Sequence, residues 1–205
     1  MPSLDTLLAF LGISVLVTLA PGPDNLMVIG QSLAHGRRAG LAFGLGCAAG
    51  CLTHIAWATL GIAALVRAST GLFMAIKLAG AAYLVYVGVS MLRAGPPQAC
   101  SAALPSAPLR TVIAQGFLTN VLNPKVALFF LAFVPQFIAP DAPDKALAFI
   151  LLGCIFNLGG IIWCHLLVFT TVYASHRVRL SQRLGRWLNR GIGTLFVGLG
   201  IKLAS

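Results

Sequence analysis

Charge is what this chain has least of. Only 9% of its 205 residues are Asp, Glu, Lys or Arg, against about 25% in an ordinary soluble domain. The acidic residues are four: Asp5, Asp24, Asp141 and Asp144. With 59% hydrophobic residues and a mean hydropathy of +0.94, a soluble fold of this size could not bury its apolar surface and still cover itself with polar groups. The chain therefore reads as an all-α integral membrane protein, a single transmembrane domain over 1–205, with no room for a sizeable soluble domain. That counts against most soluble enzymes and DNA-binding factors. Catalytic constellations are missing too. There is no HExxH, no GxSxG and no paired carboxylate, and the embedded histidines are His54 and His165. No enzyme, no cofactor and no resident metal are expected. No basic residue precedes Arg37, so the first apolar run is expected to be a retained helix rather than a cleaved secretory signal. Cysteine is sparse, and Cys47, Cys51, Cys100, Cys154 and Cys164 fall mostly inside apolar runs. They do not form a secreted disulfide framework.

What is present is a series of long apolar runs, about 4–29, 39–66, 71–92, 111–139, 145–174 and 189–204. None alternates with period two, and all exceed the length of a barrel strand, so six transmembrane helices are predicted. Residues 94–110 form the one linker, where Pro96, Pro97, Pro105 and Pro108 forbid a continuous helix. The net charge of +10 has the pattern of membrane orientation rather than of nucleic-acid binding. Nine basic residues fall in the odd-numbered loops: Arg37 and Arg38, Arg93 and Arg110, then Arg177, Arg179, Arg183, Arg186 and Arg190. Arg67, Lys145 and Lys202 lie opposite, beside Asp5, Asp141 and Asp144. The positive-inside rule places the odd loops in the cytoplasm and both termini outside.

The chain also repeats itself. LAFGLGCAAGCLTHIAW at 41–57 and LAFILLGCIFNLGGIIW at 147–163 agree at seven of 17 positions, ending on Trp57 and Trp163. The first run is interrupted at Pro23-Asp24 and the fourth at Pro124-Lys125. Two homologous halves, about 1–93 and 111–205, follow. Each holds three helices, an odd number, so the second half must run inverted relative to the first, as in many secondary transporters.

The interruptions carry the chemistry. Prolines lack an N–H and clash with the preceding turn. Pro21, Gly22 and Pro23 therefore break helix 1 and strip the carbonyls of Val17 and Leu19 of their helical donors; Asp24 and Asn25 open the second half-helix. Helix 4 repeats the device: Pro124 frees the Asn120 carbonyl, with Thr119, Asn120 and Asn123 beside it. Broken backbone is tolerated in a bilayer only where it lines a polar cavity. Free carbonyls suit an ammonium group and half-helix N-termini suit a carboxylate, so a zwitterion matches both. Asp24 and Lys125 occupy matched repeat positions. An ionised side chain at mid-bilayer costs about 2.5–3.5 kcal/mol or more, so they are expected to face one central cavity as a site for substrate or protons. The plainer alternative is a structural ion pair pinning the halves together.

APGPDNLMVI, HGRRAG with its glycine-rich helix, AAYLVYVG and GFLTNVLNPKVALFFLAFVPQF together resemble the LysE/RhtB family of amino-acid exporters over nearly the whole chain. The resemblance implies efflux of amino acids or close derivatives across a bacterial inner membrane, energised by proton antiport. It carries Pro21, Gly22, Pro23, Asp24, Asn120, Asn123, Pro124 and Lys125 over by motif; many members have Asn where this chain has Asp24. The expected substrate is a neutral amino acid or a homoserine-like compound. The expected partners are that zwitterion, protons and the lipid bilayer, with no nucleic acid and with homo-oligomerisation left open. A competing class is a heavy-metal cation exporter, because Cys47, Cys51 and His54 share one helix face and Cys164-His165 lies on helix 5. Cysteine as a small packing residue is the plainer reading. The glycines Gly40, Gly44, Gly46 and Gly50 have the spacing of close helix packing. Gln136 and Asn157 are polar within apolar runs, suited either to substrate or to bonds across helices.

Overall fold

The computed structural model describes residues 3–68, 107–139 and 142–175 continuously, with scattered helical positions within 71–93 and 190–201. Every regular element among the described residues is helical. Helix α1 spans Leu4–Leu19. The Ser3 side chain caps it by accepting from the Thr6 N–H at 3.2 Å, and Asp5 complements the dipole in its first turn. It stops where Pro21 and Pro23 approach. At 16 residues it is about 24 Å long, short of a ~30 Å hydrocarbon core.

Helix α2, Pro23–Ala68, has proline at its first position and one non-helical residue, Gly36, at φ 78° and ψ −174°. Gly36 has the one positive φ among the described residues. The chain folds back there. Residues 32 and 40 would be about 12 Å apart on a straight helix, yet a Cβ on Gly40 would fall on the Ser32 hydroxyl. This corrects the sequence-based boundaries. No loop separates 29 from 39; helix continues to His35 and resumes at Arg37. Glycine makes a one-residue reversal possible because it has no Cβ to clash at positive φ.

The proline-rich linker also ends earlier than expected, because α3 (Leu109–Val121) begins directly after Pro108. Asn123 then caps α4, Pro124–Leu128, which continues as a π turn over Phe129–Phe133 and a 3-10 turn over Val134–Phe137. The two sides of the Leu122–Asn123 break are bent by 47°. Helix α5, Lys145–Ser175, starts under an Asp144 carboxylate that accepts from the Leu147 N–H at 2.9 Å. Among the described residues α2 and α5 are long and apolar enough to cross a membrane, and the bent α3–α4 pair is so when taken as one span. The third and sixth predicted helices, and the part of the linker that holds Cys100, lie largely outside the described residues; the described positions within 71–92 and 189–204 are helical.

Helix α2 packs chiefly on α3 and α5, through glycine. A Cβ on Gly46 would coincide with the Ile113 carbonyl oxygen, and one on Gly116 with that of Phe43. An aromatic cluster fills the core: Phe129 stacks on Phe156 at 4.5 Å, and Phe10 meets Phe137 edge-on at 5.2 Å. Leu4, Leu8, Leu60, Leu158, Ile162 and Phe169 face outward. An apolar exterior of that extent suits lipid rather than water.

Candidate functional site

Pro21 cannot donate to the Val17 carbonyl. The donor comes from the other break. Lys125 Nζ donates to the Val17 carbonyl at 3.2 Å and to that of Ala20 at 3.0 Å. Asn25 Nδ2 donates to the carbonyls of Thr18 and Ala20, each at 3.0 Å. Gly22 makes the approach possible, since a Cβ there would sit 3.0 Å from Lys125 Nζ and 3.3 Å from its Cε. The expectation that the Val17 and Leu19 carbonyls are offered to a substrate ammonium is therefore corrected at Val17, which is occupied from within, as are its neighbours Thr18 and Ala20.

The second break is closed by the first half in turn. Pro124 leaves the Asn120 carbonyl without a helical donor; it accepts from the Asn123 N–H and from His54 Nε2, each at 3.0 Å. A carbonyl only accepts, so the proton of His54 is on Nε2. The Asn120 amide donates to Asp24 Oδ2 at 2.9 Å, and Asn123 Oδ1 accepts from the Lys125 N–H at 3.0 Å. His54 was grouped with the thiols by helix face; instead it serves the Asn120 carbonyl and stacks on Phe130 at 6.1 Å. The sequence signal for its role was the freed carbonyl itself, which required a buried donor from somewhere.

Between the breaks lies a cavity of about 80 Å³. Asp24, Asn25, Asn120 and Lys125 line it, with Cys47 and Cys51 from α2 and Phe156, Asn157, Trp163 and Cys164 from α5. Pro21, Gly22, Pro23, Asn123 and Pro124 shape the breaks but do not line it. Asp24 and Lys125 form no ion pair with each other; the carboxylate takes the Asn120 amide and the ammonium takes carbonyls. The structural ion pair is thus set aside. Asp24 Oδ1, Asn120 Oδ1 and Trp163 Nε1 are buried without a hydrogen-bond partner. Asn157 donates across to the Ala48 carbonyl at 3.3 Å, whereas Gln136 bonds within its own helix to Ala132. Among the described residues no three metal-ligating side chains converge. Trp163, Phe156 and Gly160 are among the lining residues that sequence reasoning missed.

A lipid-facing helical bundle with a charged cavity at two broken helices has the build of a membrane translocator. The family model described as LysE type translocator matches residues 6–205. An uncharacterized membrane protein of Pseudomonas aeruginosa is 35% identical over 196 residues, covering 93% of this chain and 91% of its own length. The membrane protein YrhP of Bacillus subtilis is 33% identical, covering 97% and 98%. A leucine efflux protein of Enterobacter is 31% identical, covering 92% and 90%. No solved structure matches the chain. The chain belongs to the LysE type translocator family.

Proposed function

We propose that this protein exports a small zwitterion, a neutral amino acid or homoserine-like compound, across the bacterial inner membrane in exchange for protons. In this reading it is a six-span transporter of two inverted three-helix halves. The observation that carries the reading is that Asp24 and Lys125 line one cavity without pairing. A substrate bearing both charges completes each. Its ammonium takes the free acceptors Asp24 Oδ1 and Asn120 Oδ1. Its carboxylate takes Lys125 Nζ, which has three donors and uses two on carbonyls. A leucine efflux protein among the relatives supports an amino acid as the cargo. Support for two opposed halves comes from reciprocity, since Lys125 closes the first break while Asn120 holds the residue that follows it. The second reading, a heavy-metal cation exporter, draws on the lining thiols Cys47, Cys51 and Cys164, but there a cation meets the Lys125 ammonium as a like charge.

Asp24→Asn separates the roles. It keeps shape and the bond to Asn120 but cannot titrate. In inside-out vesicles given labelled amino acid in the medium, loss of pH-gradient-driven uptake with retained exchange is the outcome expected of a proton carrier. Full gradient-driven transport removes Asp24 from coupling and leaves it as a binding residue. Wild-type vesicles that move metal ions and no amino acid replace this reading by the second.

A further inference from the structure

Among the described residues, five buried side-chain polar atoms have no hydrogen-bond partner, and three of them belong to residues lining the cavity between the breaks: Asp24 Oδ1, Asn120 Oδ1 and Trp163 Nε1. The first two can only accept. An indole N–H can only donate, and a buried Trp N–H normally finds an acceptor. Trp163 stands on the α5 face that also carries Phe156, Gly160 and Cys164, at i, i+4, i+7 and i+8. Its repeat counterpart shows that the position does not demand a buried indole: Trp57 is 62% exposed, on the outer surface of α2. The two aligned tryptophans thus differ in setting, with that of α5 turned to the cavity.

We infer that Trp163 is a substrate-binding residue whose indole N–H takes one carboxylate oxygen of the transported zwitterion, the other oxygen going to Lys125. The inference rests on the proposed amino-acid export and deepens it. Lys125 supplies charge, which any anion can use. Trp163 supplies direction, because its single N–H lies in the plane of a rigid ring. Together they select a free carboxylate next to the ammonium, and they reject the corresponding amine, which leaves the indole N–H buried and unpaired.

Purified protein in liposomes, assayed by exchange of neutral amino acids one by one, tests this. Trp163→Phe keeps the ring and removes the N–H. It is expected to raise the half-saturating leucine concentration roughly tenfold with little change in maximal rate, while isopentylamine, the same chain without its carboxylate, inhibits more strongly than in wild type, because no indole N–H is left unpaired. Ser14→Ala, which removes an unpaired hydroxyl away from the cavity, is expected to change neither. Unchanged leucine exchange in Trp163→Phe overturns the inference alone. Wild-type protein that exchanges no amino acid overturns the proposed export and this inference with it. Should Trp163→Phe not fold, Trp57→Phe with Trp187→Phe leaves Trp163 as the sole indole. Its ultraviolet resonance Raman N–H band is then expected to shift when leucine is added, and a band that does not move rejects the contact.

Discussion

Lys125 is 9% exposed, and its ammonium meets the carbonyls of Val17 and Ala20 rather than a carboxylate. Lys125→Met keeps the stem and removes the donors. It leaves the Val17 carbonyl without a donor, at a cost of about 1–3 kcal/mol, while Ala20 keeps the Asn25 amide, and it leaves Asp24 facing no cation. The expected result is a lower melting temperature in detergent together with loss of export. Lys125→Arg is expected not to rescue, because a planar guanidinium is wider than an ammonium and the passage over Gly22 is already at contact distance. Gly22→Ala should displace Lys125 Nζ by a few tenths of an ångström and lower export in part, short of the Lys125→Met loss. Export by Gly22→Ala at the wild-type rate would contradict the close approach.

At the scale of elements, glycine decides which helices touch. Gly46 and Gly116 meet backbone oxygens of the facing helix, and backbone cannot step aside as a side chain can. Gly46→Val and Gly116→Val are each expected to prevent accumulation of folded protein, measured by gel filtration of the extracted membrane fraction. Gly12→Ala, in open space on α1, is expected to be neutral or slightly stabilising, in line with helix propensity. Gly160 is a third case: it lines the cavity and a Cβ there meets nothing. Gly160→Leu should therefore fold and yet narrow the site, abolishing exchange of branched amino acids before that of alanine.

Much of this architecture was legible because proline and long apolar runs act locally. The breaks at Pro21–Pro23 and Pro124, the start of α5 at Lys145 and the packing role of the glycine stripe all follow from neighbours in sequence. Gly36 was not legible as a turn, since nothing local separates it from the other glycines of a chain that has 22, and Arg37 and Arg38 beside it imitate a loop. Nor was the choice of partners. The bond from Lys125 to Val17 and the burial of the Trp163 N–H, where Trp57 is exposed, are set by helices that meet only in three dimensions.

For the whole molecule, the proposed orientation rests on the nine basic residues assigned from sequence to the odd-numbered loops. In a variant without native cysteines, Ala142→Cys is expected to react with a membrane-impermeant maleimide added to intact cells, and Ser181→Cys only after permeabilisation. The reverse pattern would invert the assignment. The clasp at the first break also has a history during synthesis. The donor to Val17 and Ala20 is made 108 and 105 residues after them. At about 5–20 residues per second, the first span waits on the order of 5–20 s for it. Through that interval the span is in the bilayer with its polar backbone unclosed, dependent on water or on the insertion machinery. The later half of the polypeptide thus finishes the folding of the earlier one.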